Sequence, residues 1–76
     1  MNKLLIDFLR ALKTNDNVIF IFSGTPISGN VVKFDEDHDC IELSGIMISD
    51  THYNRNITLL VKLITAWGKQ STSAST

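Results

Sequence analysis

Helical periodicity occurs once in this chain and then stops. Over residues 3–13 the apolar side chains Leu5, Phe8, Leu9 and Leu12 recur at i, i+3, i+4 and i+7. Leu4, Ile6 and Ala11 widen that stripe, while Lys3, Asp7, Arg10 and Lys13 stay on the polar side. The spacing predicts an amphipathic helix over 3–13, capped by Asn2 and stopped by Thr14-Asn15-Asp16-Asn17. No later stretch returns to a 3.6-residue period. Val18-Ile19-Phe20-Ile21-Phe22 is β-branched or aromatic at every position, which predicts a strand covered on both faces. One helix followed only by strands excludes a doubly wound fold, which needs the two in alternation.

The other strands follow from turn residues and period-two patterning. Ser23-Gly24-Thr25-Pro26 is a turn, and residues 27–34 form a second strand with Gly29 inside it. A glycine there suits a sharp bend or a close backbone approach. Residues 35–39 are a polar turn before a third strand at 40–48. The apolar phase of that strand starts at Ile41 and Leu43 and moves to Ile46 and Ile48, a slip of one residue that places a bulge near Ser44-Gly45. Residues 49–54 read as another turn. Ile57, Leu59, Val61 and Leu63 alternate as a fourth strand, and residues 64–67 make a short fifth. The expected architecture is mainly β with one N-terminal helix: a strongly bent, five-stranded antiparallel sheet, closed or nearly closed into a small barrel over 17–67, its open end covered by the helix. The domain spans 1–68, and the small, polar residues 69–76 form a disordered tail.

Composition narrows the function. The chain has 76 residues, 43% hydrophobic and 20% charged, a globular balance sufficient for one domain. Seven basic against eight acidic residues give a net charge of −1, which argues against a polybasic nucleic-acid tail or a cationic membrane binder. The apolar start is interrupted by Asp7 and Arg10, unlike a signal peptide, and no run approaches the length of a spanning helix. The sole cysteine, Cys40, is expected to be a reduced, buried thiol in the cytoplasm. A domain this small without disulfide or metal staples often completes its burial by oligomerising.

From Gly24 to Asp35 the spacing resembles the Sm, LSm and Hfq family. The family's first motif places a glycine after an alternating strand, an apolar residue three on, a second glycine five on, another apolar residue, then Phe-Asp. Here these are Val18, Phe20, Phe22, Gly24, Ile27, Gly29, Val31, Phe34 and Asp35. The helix ahead of the first strand agrees. The family often has Asn four residues beyond the Asp, where this chain has Asp39. Its second motif ends in Arg-Gly, or in Tyr-Lys-His in the bacterial branch, whereas this chain reads Leu60-Val61-Lys62-Leu63. Only Lys62 carries over, and Leu63 stands where the partner would be. So compact and divergent a pattern points to a phage or environmental member.

The resemblance implies an SH3-like barrel of the Sm type and a non-catalytic role in RNA processing or regulation. Pairing strand four of one copy with strand five of the next would satisfy open edges and close a homo-oligomeric ring. Single-stranded RNA, or single-stranded DNA, would meet the loops after strands two and four, where His38, Asp39, Lys62 and Leu63 lie. One lysine per subunit becomes a ring of positive charge. Gly24, Gly29, Phe34 and Asp35 would be structural: the glycines serve the backbone, Phe34 the core, and Asp35 caps its turn. His52, Tyr53 and Arg55 form either a second nucleic-acid patch or a solvated hairpin tip. Trp67 reads as an interface or core anchor. No cofactor or metal is expected. Asp35, Asp37 and Asp39 imitate the start of a calcium loop, but Cys40 and Ile46 stand where it needs Gly and Glu. No nucleophile elbow, Walker motif or catalytic carboxylate pair argues for an enzyme. The alternative function is a structural or assembly module, phage-borne, using the same barrel for protein contacts without nucleic acid.

Overall fold

The computed structural model describes residues 2–70. Helix α1 (Lys3–Arg10) is followed by strands β1 (Asn17–Phe22), β2 (Thr25–Asp35), β3 (Cys40–Ile48), β4 (Thr51–Tyr53) and β5 (Ile57–Leu60). A 3-10 turn, η1 (Val61–Leu63), leads directly into β6 (Ile64–Lys69). The strands make one antiparallel sheet in the order β4-β3-β2-β1-β6, with β5 paired to β3 beside β4. β3 therefore serves two neighbours: its first half pairs with β5, Cys40 opposite Leu60, and its second half with β4, Ile48 opposite Thr51.

The sheet is antiparallel, as expected, but it does not close into a barrel. β6 pairs with β1 and β5 with β3, and no ladder joins β5 to β6. The reason lies in the corner between them. The expected fourth strand over 57–63 ends at Leu60, and the chain turns through η1, which takes Leu63 out of strand pairing.

A bulge lies where the sequence placed it. Ser28 opposes Met47 and Asn30 opposes Ser44, so Gly45 and Ile46 together face Gly29. Gly45 has φ +54°, as a bulge residue requires. A second irregularity leaves Val32 unpaired between Val31 and Lys33. There β2 parts from β1, and the loop after α1 takes over: Asn15 N–H donates to the Val31 carbonyl, 2.8 Å, and Val31 N–H to the Asp16 carbonyl, 2.9 Å.

Asn2 caps α1, its side-chain oxygen accepting from Leu4 N–H at 2.9 Å. The helix stops at Arg10 rather than Lys13, because Asp16 captures the Lys13 N–H at 2.8 Å and Asn15 takes φ +75°. Leu5 and Leu9 bury against the sheet, and Phe8 meets Phe20 edge-on and lies beside Trp67. Leu4, read as part of the apolar stripe, instead faces out at 73% exposure. Val18 and Phe20 are fully buried beneath α1. Ile19 and Ile21, on the other face of β1, are only half-buried. Covering of both faces is thus half met, since among the described residues no helix packs on that side.

β4 occupies part of the expected turn over 49–54. Thr-His-Tyr is exposed and lacks alternation, so it gave no strand signal. The sheet runs past the expected domain end at 68: Lys69 ends β6 and Gln70 N–H donates to the Asn17 carbonyl, while residues 71–76 of the expected tail lie outside the described residues. Among the described residues no helix is long and apolar enough to cross a membrane.

Candidate functional site

The corner that keeps the sheet open also presents the most distinctive cation. Val61 is fully buried, and its N–H donates to the Asp39 carbonyl at 2.8 Å. On the other side of η1 the Leu63 carbonyl accepts from Ser23 N–H at 3.0 Å. η1 is thus pinned to the turn between β2 and β3 and to the turn between β1 and β2. Between those two anchors Lys62 projects outward, exposed. It lines a cavity of about 270 Å³ with Asp39, Val61, Ile64 and, from the start of α1, Asn2 and Leu5.

The structure brings two of the four expected site residues together. Asp39 and Lys62, 23 positions apart in the numbering, share this cavity. His38 sits in the same turn as Asp39, but its Nδ1 lies 2.8 Å from Asp35 Oδ2 and the ring is directed to solvent. Leu63 lies on η1, 38% exposed, and does not line the cavity. Asn2 and Leu5 were missed because nothing local reveals where α1 docks.

Charge in the turn over 35–39 is partly neutralised. Arg10 forms an ion pair with Glu36, its Nε donating to Oε1 at 2.9 Å, which ties α1 to the turn. The Arg10 bond holds the Glu36 carboxyl below its ordinary range. The His38 side-chain bond does the same for Asp35, which also accepts from His38 N–H at 3.3 Å. Asp35 is therefore the turn cap the sequence anticipated. Asp37 and Asp39 have no ion-pair partner among the described residues, so negative charge remains beside Lys62. Asp39 itself stands at φ +52°, a conformation Asn adopts more readily.

The residues of the glycine-containing motif lie along β1, β2 and the turn between them. Gly24 turns the β1–β2 hairpin at φ +85°, Gly29 is buried opposite the bulge, and Phe34 packs half-buried against the core. Trp67 packs there too, beside Phe8. His52, Tyr53 and Arg55 are all exposed on and after β4, at the opposite half of β3 from Lys62, so they form a separate surface. Cys40 is half-buried opposite Leu60. Among the described residues no three His, Cys, Asp or Glu side chains converge as a metal site would need.

Comparison with protein-family models, curated proteins and solved structures returns no match to this chain.

Proposed function

We propose that this chain is a non-catalytic, Sm-like nucleic-acid-binding protein, working as a cyclic homo-oligomer on single-stranded RNA or single-stranded DNA in RNA processing or regulation. The observation that carries the reading is the position of Lys62. It projects from a pinned turn, at a cavity, between two strands whose outer edges are unpaired. If β5 of one copy pairs with β6 of the next, every subunit contributes the same lysine to one ring of charge. A cytoplasmic setting, that of the host if the chain is phage-borne, goes with this reading.

The test is binding of short uridine-rich and adenine-rich RNAs across a salt series. Neutralising one phosphate contributes about 0.7 to the logarithmic salt slope on single strands. Lys62→Ala is expected to weaken binding and flatten the slope while leaving assembly intact, and Lys3→Ala serves as the control for general charge loss. Asp39→Asn is expected to strengthen binding, because it removes a carboxylate that repels phosphate. The unpaired acidic charge of that turn favours the second reading, a structural module that docks protein. Absence of single-stranded RNA or DNA binding at low salt would decide for it. Binding that ignores Lys62→Ala would move the site to His52, Tyr53 and Arg55.

A further inference from the structure

We propose that the outer face of the sheet holds a docking cavity for an arginine side chain presented by a partner protein. The inference does not rest on the nucleic-acid reading. On the face away from α1, Ile19 of β1, Ser28 of β2 and Met47 of β3 stand in one cross-strand row. Gly68 of β6, opposite Ile19, adds no side chain to the row. This row lies in the wall of a cavity of about 340 Å³, whose rim carries Pro26, Ser49, Asp50 and Gln70. That volume is at the low end for ligand sites, which suits a single long side chain better than a large ligand.

Charge selects the occupant. Asp16, Asp35 and Glu36 have cationic partners in Lys69, His38 and Arg10, and Glu42 accepts from Asn56. Asp39 shares its cavity with Lys62. Asp7, Asp37 and Asp50 have no ion-pair partner among the described residues, and of these it is Asp50 that lines this cavity, as its one charged residue. An uncompensated carboxylate repels a phosphate and attracts a cation. Arginine fits better than lysine. Its planar fork meets a carboxylate at two points, the Ser49 hydroxyl and Gln70 amide oxygen can accept the remaining N–H groups, and its stem can lie along Ile19, Pro26 and Met47. The turn that delivers Asp50 is itself costly. Ser49 and Asp50 both take positive φ, +49° and +70°, where a two-residue hairpin turn ordinarily uses Asn-Gly.

The chain contains two methionines, so protein labelled with 13C in the methionine methyl groups gives a signal from the cavity wall, Met47, assigned by its loss in Met47→Leu and read against an added chemical-shift standard. The full-length protein, in whatever assembly it adopts, is titrated with a blocked Gly-Arg-Gly peptide. Parallel titrations use the citrulline peptide, a neutral isostere, the lysine peptide, and guanosine and adenosine monophosphates. The Met47 signal is expected to move saturably with the arginine peptide. Binding should be at least about tenfold weaker with citrulline or in Asp50→Asn, reflecting loss of a charge-assisted bidentate pair. Asn tolerates positive φ, so this variant keeps the turn, and circular dichroism checks the fold. An unmoved Met47 signal, an equal response to citrulline, an unaffected Asp50→Asn, or a response confined to the nucleotides would each overturn the proposal.

Discussion

A β-carbon on Gly29 would lie 2.9 Å from the carbonyl oxygen of Ser44 and 3.1 Å from Ile46 Cγ2. The first contact is with backbone at the bulge, which cannot move aside as a flexible side chain does. Gly29→Val is therefore expected to destabilise by about 2 kcal/mol or more, beyond the ~1 kcal/mol span of strand propensity, because overpacking adds its own strain. Urea denaturation monitored by Trp67 fluorescence measures it, and a neutral result would remove the close approach as the reason for glycine. Ser49 and Asp50 allow the opposite change. Both hold left-handed backbone without being glycine, so Asp50→Gly is expected to stabilise by about 1 kcal/mol in the same assay. Both the close approach at Gly29 and the bulge after Ser44 were legible in the sequence, since a glycine inside an alternating strand and a slip of apolar phase are local signals. Lys62 was legible as a candidate but not as a turn residue. Leu59-Leu60-Val61-Lys62-Leu63 keeps strand-like alternation through η1, and the hydrogen bonds that turn it come from Asp39 and Ser23, remote in sequence.

The elements are joined at their ends by exposed carboxylates, and this gives the fold an acid-sensitive side. Glu36 ties the turn between β2 and β3 to α1 through Arg10, and Asp35 closes that turn on His38. Asp16 accepts from Lys13 N–H and pairs with Lys69, joining the loop after α1 to β6. All three carboxyls are held below their ordinary ranges: Glu36 chiefly by the Arg10 side-chain bond, Asp35 by that of His38, Asp16 by the Lys13 backbone N–H. A depressed folded value means the unfolded chain takes up protons first. The stabilisation is then present in full above the unfolded values near pH 4, and is lost as pH falls through the lower folded ones. Thermal melts are expected to shift downward between about pH 5 and pH 2, and the shift should shrink in Glu36→Gln. An unchanged profile in that variant would mean the Arg10 pair contributes nothing. Element existence was largely legible, because helical periodicity marks α1, an unbroken β-branched and aromatic run marks β1, and alternation between turn residues marks β2 and β3. The hairpin arm β4 was not, since its three exposed residues are held only by pairing with β3.

At the scale of the whole molecule, the open sheet leaves two edges that a lone subunit does not satisfy. β5 is paired on one side by β3 and β6 on one side by β1, so each presents unpaired N–H and C=O groups outward. Natural edges of this kind are usually blunted by charge, proline or a bulge. The β5 edge, Ile57-Thr58-Leu59-Leu60, carries no charge or proline, and Leu60 is 45% exposed on it. Leu63, just beyond, adds a second exposed leucine. The two edges belong to one chain and differ, so pairing β5 of one copy with β6 of another is heterologous; it ends in a closed ring if the rotation closes and in an open fibre if it does not. Light scattering of the wild-type chain is therefore expected to give a discrete multiple of 8.5 kDa, independent of dilution through the micromolar range. Leu60→Lys places a charge on the pairing edge without touching the core. It is expected to give a folded species of lower mass with an unchanged far-ultraviolet spectrum and, under the proposed function, weakened RNA binding. A wild-type monomer would refute edge pairing outright. A ring that survives Leu60→Lys would move the interface to another face of the molecule and separate the role of Lys62 from assembly.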